Sequence, residues 1–129
     1  MKIETAQPKR SDEPIWWALF SAGGVCFAVV LPGAILALAI LPALGLTTGD
    51  SLSYARMADM VYHSLWGLAG LAFVAAAICL PLFHAAHRIH HGLHDLQLGG
   101  GLASKLLCYG LAALTSATGV WLLVKAWVS

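Results

Sequence analysis

Five of the six histidines of this 129-residue chain fall in one short stretch, HAAHRIHHGLHDL, at positions 84 to 96. Imidazole changes charge near neutral pH, ligates metals, and both donates and accepts hydrogen bonds. Such a cluster is suited to three kinds of chemistry: holding a metal, exchanging protons, or meeting the polar head of a small redox molecule. Wound as a helix at about 100° per residue, the stretch has two faces. Leu82, Ala86, Ile89, Leu93 and Leu96 fall within about 80° of one another, and His84, His87, Arg88, His91, His94 and Asp95 within about 120° on the opposite side. His90 lies off both.

For metal binding, HRIHH at 87 to 91 has the H-x-x-H-H form of a membrane desaturase or hydroxylase box. A di-iron site of that kind needs several boxes, and His63 is the one histidine outside the stretch. Along a helix, 21 residues at ~1.5 Å rise separate His63 from His84 by ~32 Å. The two therefore share neither a metal nor a haem, which leaves open a haem held with a histidine from another chain. The third chemistry fits a quinone: its reduction takes two electrons and two protons, and its oxygens need donors beside a positive charge. Histidine and arginine supply these, and tryptophan adds an apolar wall with one N–H. His91 and Asp95, one turn apart, are placed to pair. The plainest alternative is an interfacial polar face in which the arginine reaches toward water.

The elements that must carry this stripe are apolar. The chain is 60% hydrophobic and 10% charged, against about 25% charged in a soluble domain. Three runs, roughly 15–46, 60–83 and 106–128, each exceed the ~20 residues that cross a bilayer. An all-α membrane protein with three transmembrane helices in one domain is expected, its second helix extended into the histidine segment. The first run is too long for a cleavable signal. Lys2, Lys9, Arg10, Arg88 and Lys105 lie on one side of the spans, Arg56 and Lys125 on the other. That asymmetry puts the N-terminus and the histidines in the cytoplasm. A net charge of +1 without a basic patch speaks against nucleic acid as a partner.

Ser11-Asp12-Glu13-Pro14 reads as a capped helix start, and Trp16 and Trp17 as interfacial anchors. Pro32 is placed to kink the overlong first run. TTGDSLSYARMAD (47–59) reads as a turn leading into a helix, and LQLGGGLASK (96–105) as a glycine break. Gly67 and Gly70, and Ala112, Ser116 and Gly119, allow close helix contacts. Cys26, Cys79 and Cys108 stand singly in apolar runs, as buried small residues do. No Asp or Glu interrupts the spans and no nucleotide or iron–sulfur motif is present, so electrons must come from another chain.

PKRSDEPIWW (8–17), LGLTTGDSLSY (44–54) and HRIHHGLHDL (87–96), in this order around three apolar runs, resemble the D-type subunit family of fumarate reductase. The resemblance implies a membrane anchor of quinol:fumarate reductase in the bacterial inner membrane, not an enzyme on its own. It also implies a second anchor of the C type, an iron–sulfur protein and a flavoprotein with covalent FAD as partners, and menaquinol oxidised near the cytoplasmic face without haem. By position, Trp17 matches the family's pocket tryptophan, and His87 and Arg88 its His-Arg pair. His84, His91, His94 and Asp95 remain as surrounding residues or partner contacts, and His63 matches no motif. A metal- or haem-binding membrane protein using the stripe 84–94 is the alternative reading.

Overall fold

The computed structural model describes residues 11–63 and 67–129. Lys2, Lys9 and Arg10, which weigh in the charge asymmetry, lie outside them. Four helices carry the fold: α1 (Glu13–Ile35), α2 (Tyr54–His63), α3 (Leu68–Asp95) and α4 (Leu102–Val128). There is no strand among the described residues. Three segments are long and apolar enough to cross a membrane: Glu13–Ala43, Leu68–Asp95 and Leu102–Val128. The expected three-helix architecture is therefore present.

Proline shapes α1. Pro32 sits inside the helix, and the backbone widens into a π-helical stretch over Leu36–Ile40 before a last turn, Leu41–Ala43. A proline ring crowds the carbonyl one turn back and lacks the N–H that would bond to it; a π-type turn accommodates both defects. The helix runs on past Pro32, where a kink was expected, to Ile35; the widened stretch instead lies directly ahead of Pro42, for which the carbonyl one turn back is that of Leu38.

The second apolar run is where the expectation needs correcting. It does not form one helix from Met60 to Phe83. Tyr54–His63 is a separate helix that follows a 3₁₀ turn over Gly49–Leu52, and α3 starts only at Leu68. Between them Gly67 takes φ of +76°, a conformation open to glycine, and a Cβ there would collide with the Tyr62 carbonyl. α2 carries Arg56, Asp59 and His63, and the membrane-length apolar segment begins only at Leu68. The third run also begins earlier than expected, at Leu102. At the other end of α3, Gln97 in a left-handed conformation closes the helix ahead of the glycines.

α3 lies between α1 and α4 and packs against both. At Gly23 the α1 backbone meets α3 directly, where a Cβ would strike the Leu80 carbonyl and the His84 Cβ. On the other side Ala112 and Ser116 are buried against α3, and Gly119 approaches Ile78. The expected small-residue contacts of the third helix are therefore real, whereas Gly67 and Gly70 serve the junction with α2. Ala86, Cys108, Tyr109 and Ala112 form the core, with Trp16, Leu82, Phe83 and Leu93 against it. This core sits at the histidine end, and most large apolar side chains elsewhere face outward.

Candidate functional site

α3 is 28 residues long, so at ~1.5 Å per residue it outruns a ~30 Å hydrocarbon core by several residues. Counted from Leu68, about 20 residues bring the helix to His87 and Arg88, the level where a bilayer gives way to its headgroups. The histidine stripe does not simply face water there. His87 is 4% exposed and Ala86 5%, while Ile89 is 57% exposed. Each of the wheel's two faces is covered in part because α3 is the middle helix: α1 lies over His84 and His87, and α4 over Ala86, while Arg88, Ile89 and His91 stay exposed.

The start of α1 places two tryptophans against this stripe. The Glu13 N–H donates to Ser11 Oγ at 3.2 Å, and Pro14 occupies the first turn. The Asp12 carboxylate, expected at the helix cap, is drawn elsewhere: it accepts from Trp16 Nε1 at 2.8 Å and from Lys105 Nζ of α4 at 2.7 Å. The bonds from Lys105 and then Trp16 hold the Asp12 carboxyl below the usual carboxylate range, at about 2. Trp16 is more than an interfacial anchor. Its ring lies 4.2 Å from that of Tyr109, and Lys105 Nζ sits 5.6 Å over its face.

Trp17 points to the other side. Its ring is 4.8 Å from His87, 6.1 Å from His91 and edge-on to Phe20 at 5.6 Å. Phe20 in turn stacks on His84 at 4.4 Å and lies 4.8 Å from His87. His84 donates from Nδ1 to the Phe20 carbonyl at 2.8 Å. His87 Nδ1 meets the Tyr109 hydroxyl at 2.8 Å, whereas its Nε2 is buried with no hydrogen-bond partner among the described residues. A buried unpaired polar atom costs about 1–3 kcal/mol, a cost that a partner at Nε2 would remove.

Two cavities flank the Trp17–His87 pair. One, of about 320 Å³, is lined by Trp17, Phe20, His87, Arg88, His91 and Asp95. The other, of about 270 Å³, lies between the three helices beside Glu13, Trp16, Lys105 and Tyr109. The first reaches the lower end of the about 300–1,000 Å³ typical of small-molecule sites. Trp17, His87 and Arg88, singled out from sequence, thus border one cavity. No carboxylate pairs with Arg88 among the described residues.

The remaining stripe residues divide. His91 borders both cavities. The expected His91–Asp95 pair is not formed; Asp95 instead lies 3.9 Å from His94, an exposed contact at the following turn. His84 serves the α1–α3 contact, and His90 meets Ser104 at 3.3 Å. His63 is remote on α2, 3.2 Å from Asp59. Among the described residues no three His, Cys, Asp or Glu side chains converge as metal ligands would. Sequence reasoning missed Tyr109, Phe20 and the Asp12–Lys105 link. The one signal for Tyr109 was its being the sole tyrosine in the third apolar run, since a buried phenol seeks a partner.

The sequence profile of the fumarate reductase D-type subunit matches residues 7–124. The chain belongs to that family. Similar proteins include the fumarate reductase D-type subunit of Vibrio cholerae serotype O1, 45% identical over 118 residues, covering 92% of this chain and 88% of that one. The corresponding Shewanella sp. protein is 46% identical over 122 residues, 94% and 93% of the two chains, and that of Aliivibrio salmonicida 48% over 109 residues, 84% and 88%. Membership of this family and three membrane-length helices together make the chain a membrane subunit of an oxidoreductase, as expected of a protein that is not an enzyme by itself.

Proposed function

We propose that the chain anchors quinol:fumarate reductase in the bacterial inner membrane, with its N-terminus and histidine end in the cytoplasm. In this reading it joins a second anchor, of the C type, to hold an iron–sulfur protein and an FAD-bearing flavoprotein, and it helps form the site where menaquinol is oxidised. The supporting observation is the orphaned Nε2 of His87, buried beside a cavity that Trp17 and Arg88 also border. Oxidation of a quinol gives two electrons, here passed to the iron–sulfur partner, and two protons. His87 Nε2 hydrogen-bonds a head-group oxygen, Trp17 supplies a flat apolar wall, and the unpaired Arg88 guanidinium stabilises negative charge on the head. His91 continues the polar lining outward.

Replacing Arg88 with leucine tests this. In the assembled complex, Arg88→Leu is expected to lower kcat/KM for quinol oxidation by about tenfold or more, the cost of removing one charged hydrogen-bond donor. Fumarate reduction by a reduced viologen, which bypasses the quinol, should be unchanged. Equal loss of both activities in an intact complex would contradict this placement.

A further inference from the structure

Two histidines of α3, the half-buried His84 and the buried His87, are held at the same nitrogen by partners of opposite versatility. His84 Nδ1 faces the Phe20 backbone carbonyl at 2.8 Å. A carbonyl only accepts, so His84 is fixed with its proton on Nδ1. His87 Nδ1 faces the Tyr109 hydroxyl at 2.8 Å. A hydroxyl donates or accepts as it rotates, so His87 is held in place without being confined to one tautomer.

Tyr109 is itself braced. It is 7% exposed, its ring lies against Trp16 at 4.2 Å, and Trp16 is tied through Asp12 to Lys105, one turn before Tyr109 on α4. The phenol therefore cannot swing away, and its rotatable group is the O–H.

We infer that Tyr109 is a positioning residue that lets His87 present either a bare nitrogen or an N–H at Nε2, and so meet both oxidation states of a quinone head. This rests on the quinol-site reading above. A hydroquinone offers O–H donors; it is best met by a bare Nε2, with the proton on Nδ1 and Tyr109 accepting. An oxidised quinone offers only carbonyl acceptors; it needs an N–H at Nε2, with Tyr109 donating to Nδ1. The orphaned Nε2 is the atom both forms would engage. A backbone carbonyl in place of the tyrosine, as at His84, would serve one form and repel the other.

The test is equilibrium binding of a short-chain naphthoquinone, oxidised and reduced, to the assembled fumarate reductase complex carrying Tyr109→Phe. That change keeps the ring against Trp16 and removes the hydroxyl. Without a partner for an Nδ1 proton, His87 retains its proton on Nε2. Affinity for the reduced form should then fall about tenfold, the worth of one buried hydrogen bond, while affinity for the oxidised form changes less than about threefold. The same tenfold should appear in the KM for quinol, with viologen-driven fumarate reduction unaltered. In a His87→Phe background, Tyr109→Phe should have no further effect on either form.

Equal weakening of both forms, a Tyr109→Phe effect that persists without His87, or failure of Tyr109→Phe to assemble would each overturn the inference and make the hydroxyl merely structural. If His87→Phe alone leaves naphthoquinone binding untouched, the quinol-site reading falls first, and this inference with it.

Discussion

At Asp12 one carboxylate oxygen accepts from two helices, Trp16 of its own and Lys105 of α4. Its pKa is held at about 2, below the ordinary 3.8. A depressed acid contributes stability above its ordinary value and loses it as pH falls toward the folded-state value. The Asp12 carboxylate is thus charged from about pH 5 to about pH 8, and the link weakens as pH falls below that range. Asp12→Asn should speed thermal inactivation of quinol oxidation by a similar factor at every pH in that range. A wild-type advantage that changes steeply between those limits would show that another group governs the link. Lys105 and Asp12 are far apart in sequence, and the helix-start pattern that holds Asp12 names no partner on another helix, so this pair is invisible before folding. His87, Arg88 and Trp17 were legible, the first two from the one-sided spacing of polar residues and Trp17 through the family resemblance. Tyr109 was not, because periodicity relates residues along one helix and is silent about what a neighbouring helix brings opposite them.

Among the elements, the α1–α3 crossing depends on backbone meeting backbone. Gly23 has no room for a side chain beyond its hydrogen, whereas Gly33, ten residues on, has nothing within 4 Å of the place a Cβ would occupy. Gly23→Leu should therefore force the helices apart at His84 and lower stability by about 1–3 kcal/mol, as overpacking does. Gly33→Leu should be near neutral. Comparing the thermal midpoints of the two variant complexes checks this; equal midpoints would mean that the crossing yields easily. The three long helices were readable from apolar length alone. The break at Gly67 was not, because the apolar residues Met60, Val61 and Tyr62 extend the greasy run backwards into α2, and hydropathy carries no mark of direction. The π-type widening over Leu36–Ile40 was half readable: two prolines ten residues apart announce trouble, not its form.

For the molecule as a whole, three helices in a row leave much apolar surface on their outer sides. Phe73, Leu111, Leu114 and Trp121 are all at least 60% exposed. Lipid or neighbouring helices must cover them. Mass spectrometry of the chain withdrawn from its native membrane in mild detergent should find a second small anchor, an iron–sulfur protein and a flavoprotein in equal amounts. Recovery of the chain with bound metal and no such companions would instead favour the histidine box.

The middle position of α3 also sets a timetable. The helices enter the membrane in chain order, so Trp17, Phe20 and His84 can meet while His87 still lacks Tyr109. In the proposed quinol site His87 is therefore readied last, by residues of α4 that follow the rest of the pocket along the chain. A chain cut short before Leu102 would keep two membrane-length helices with the proposed pocket unfinished, a difference by which quality control in the cell could tell the two apart.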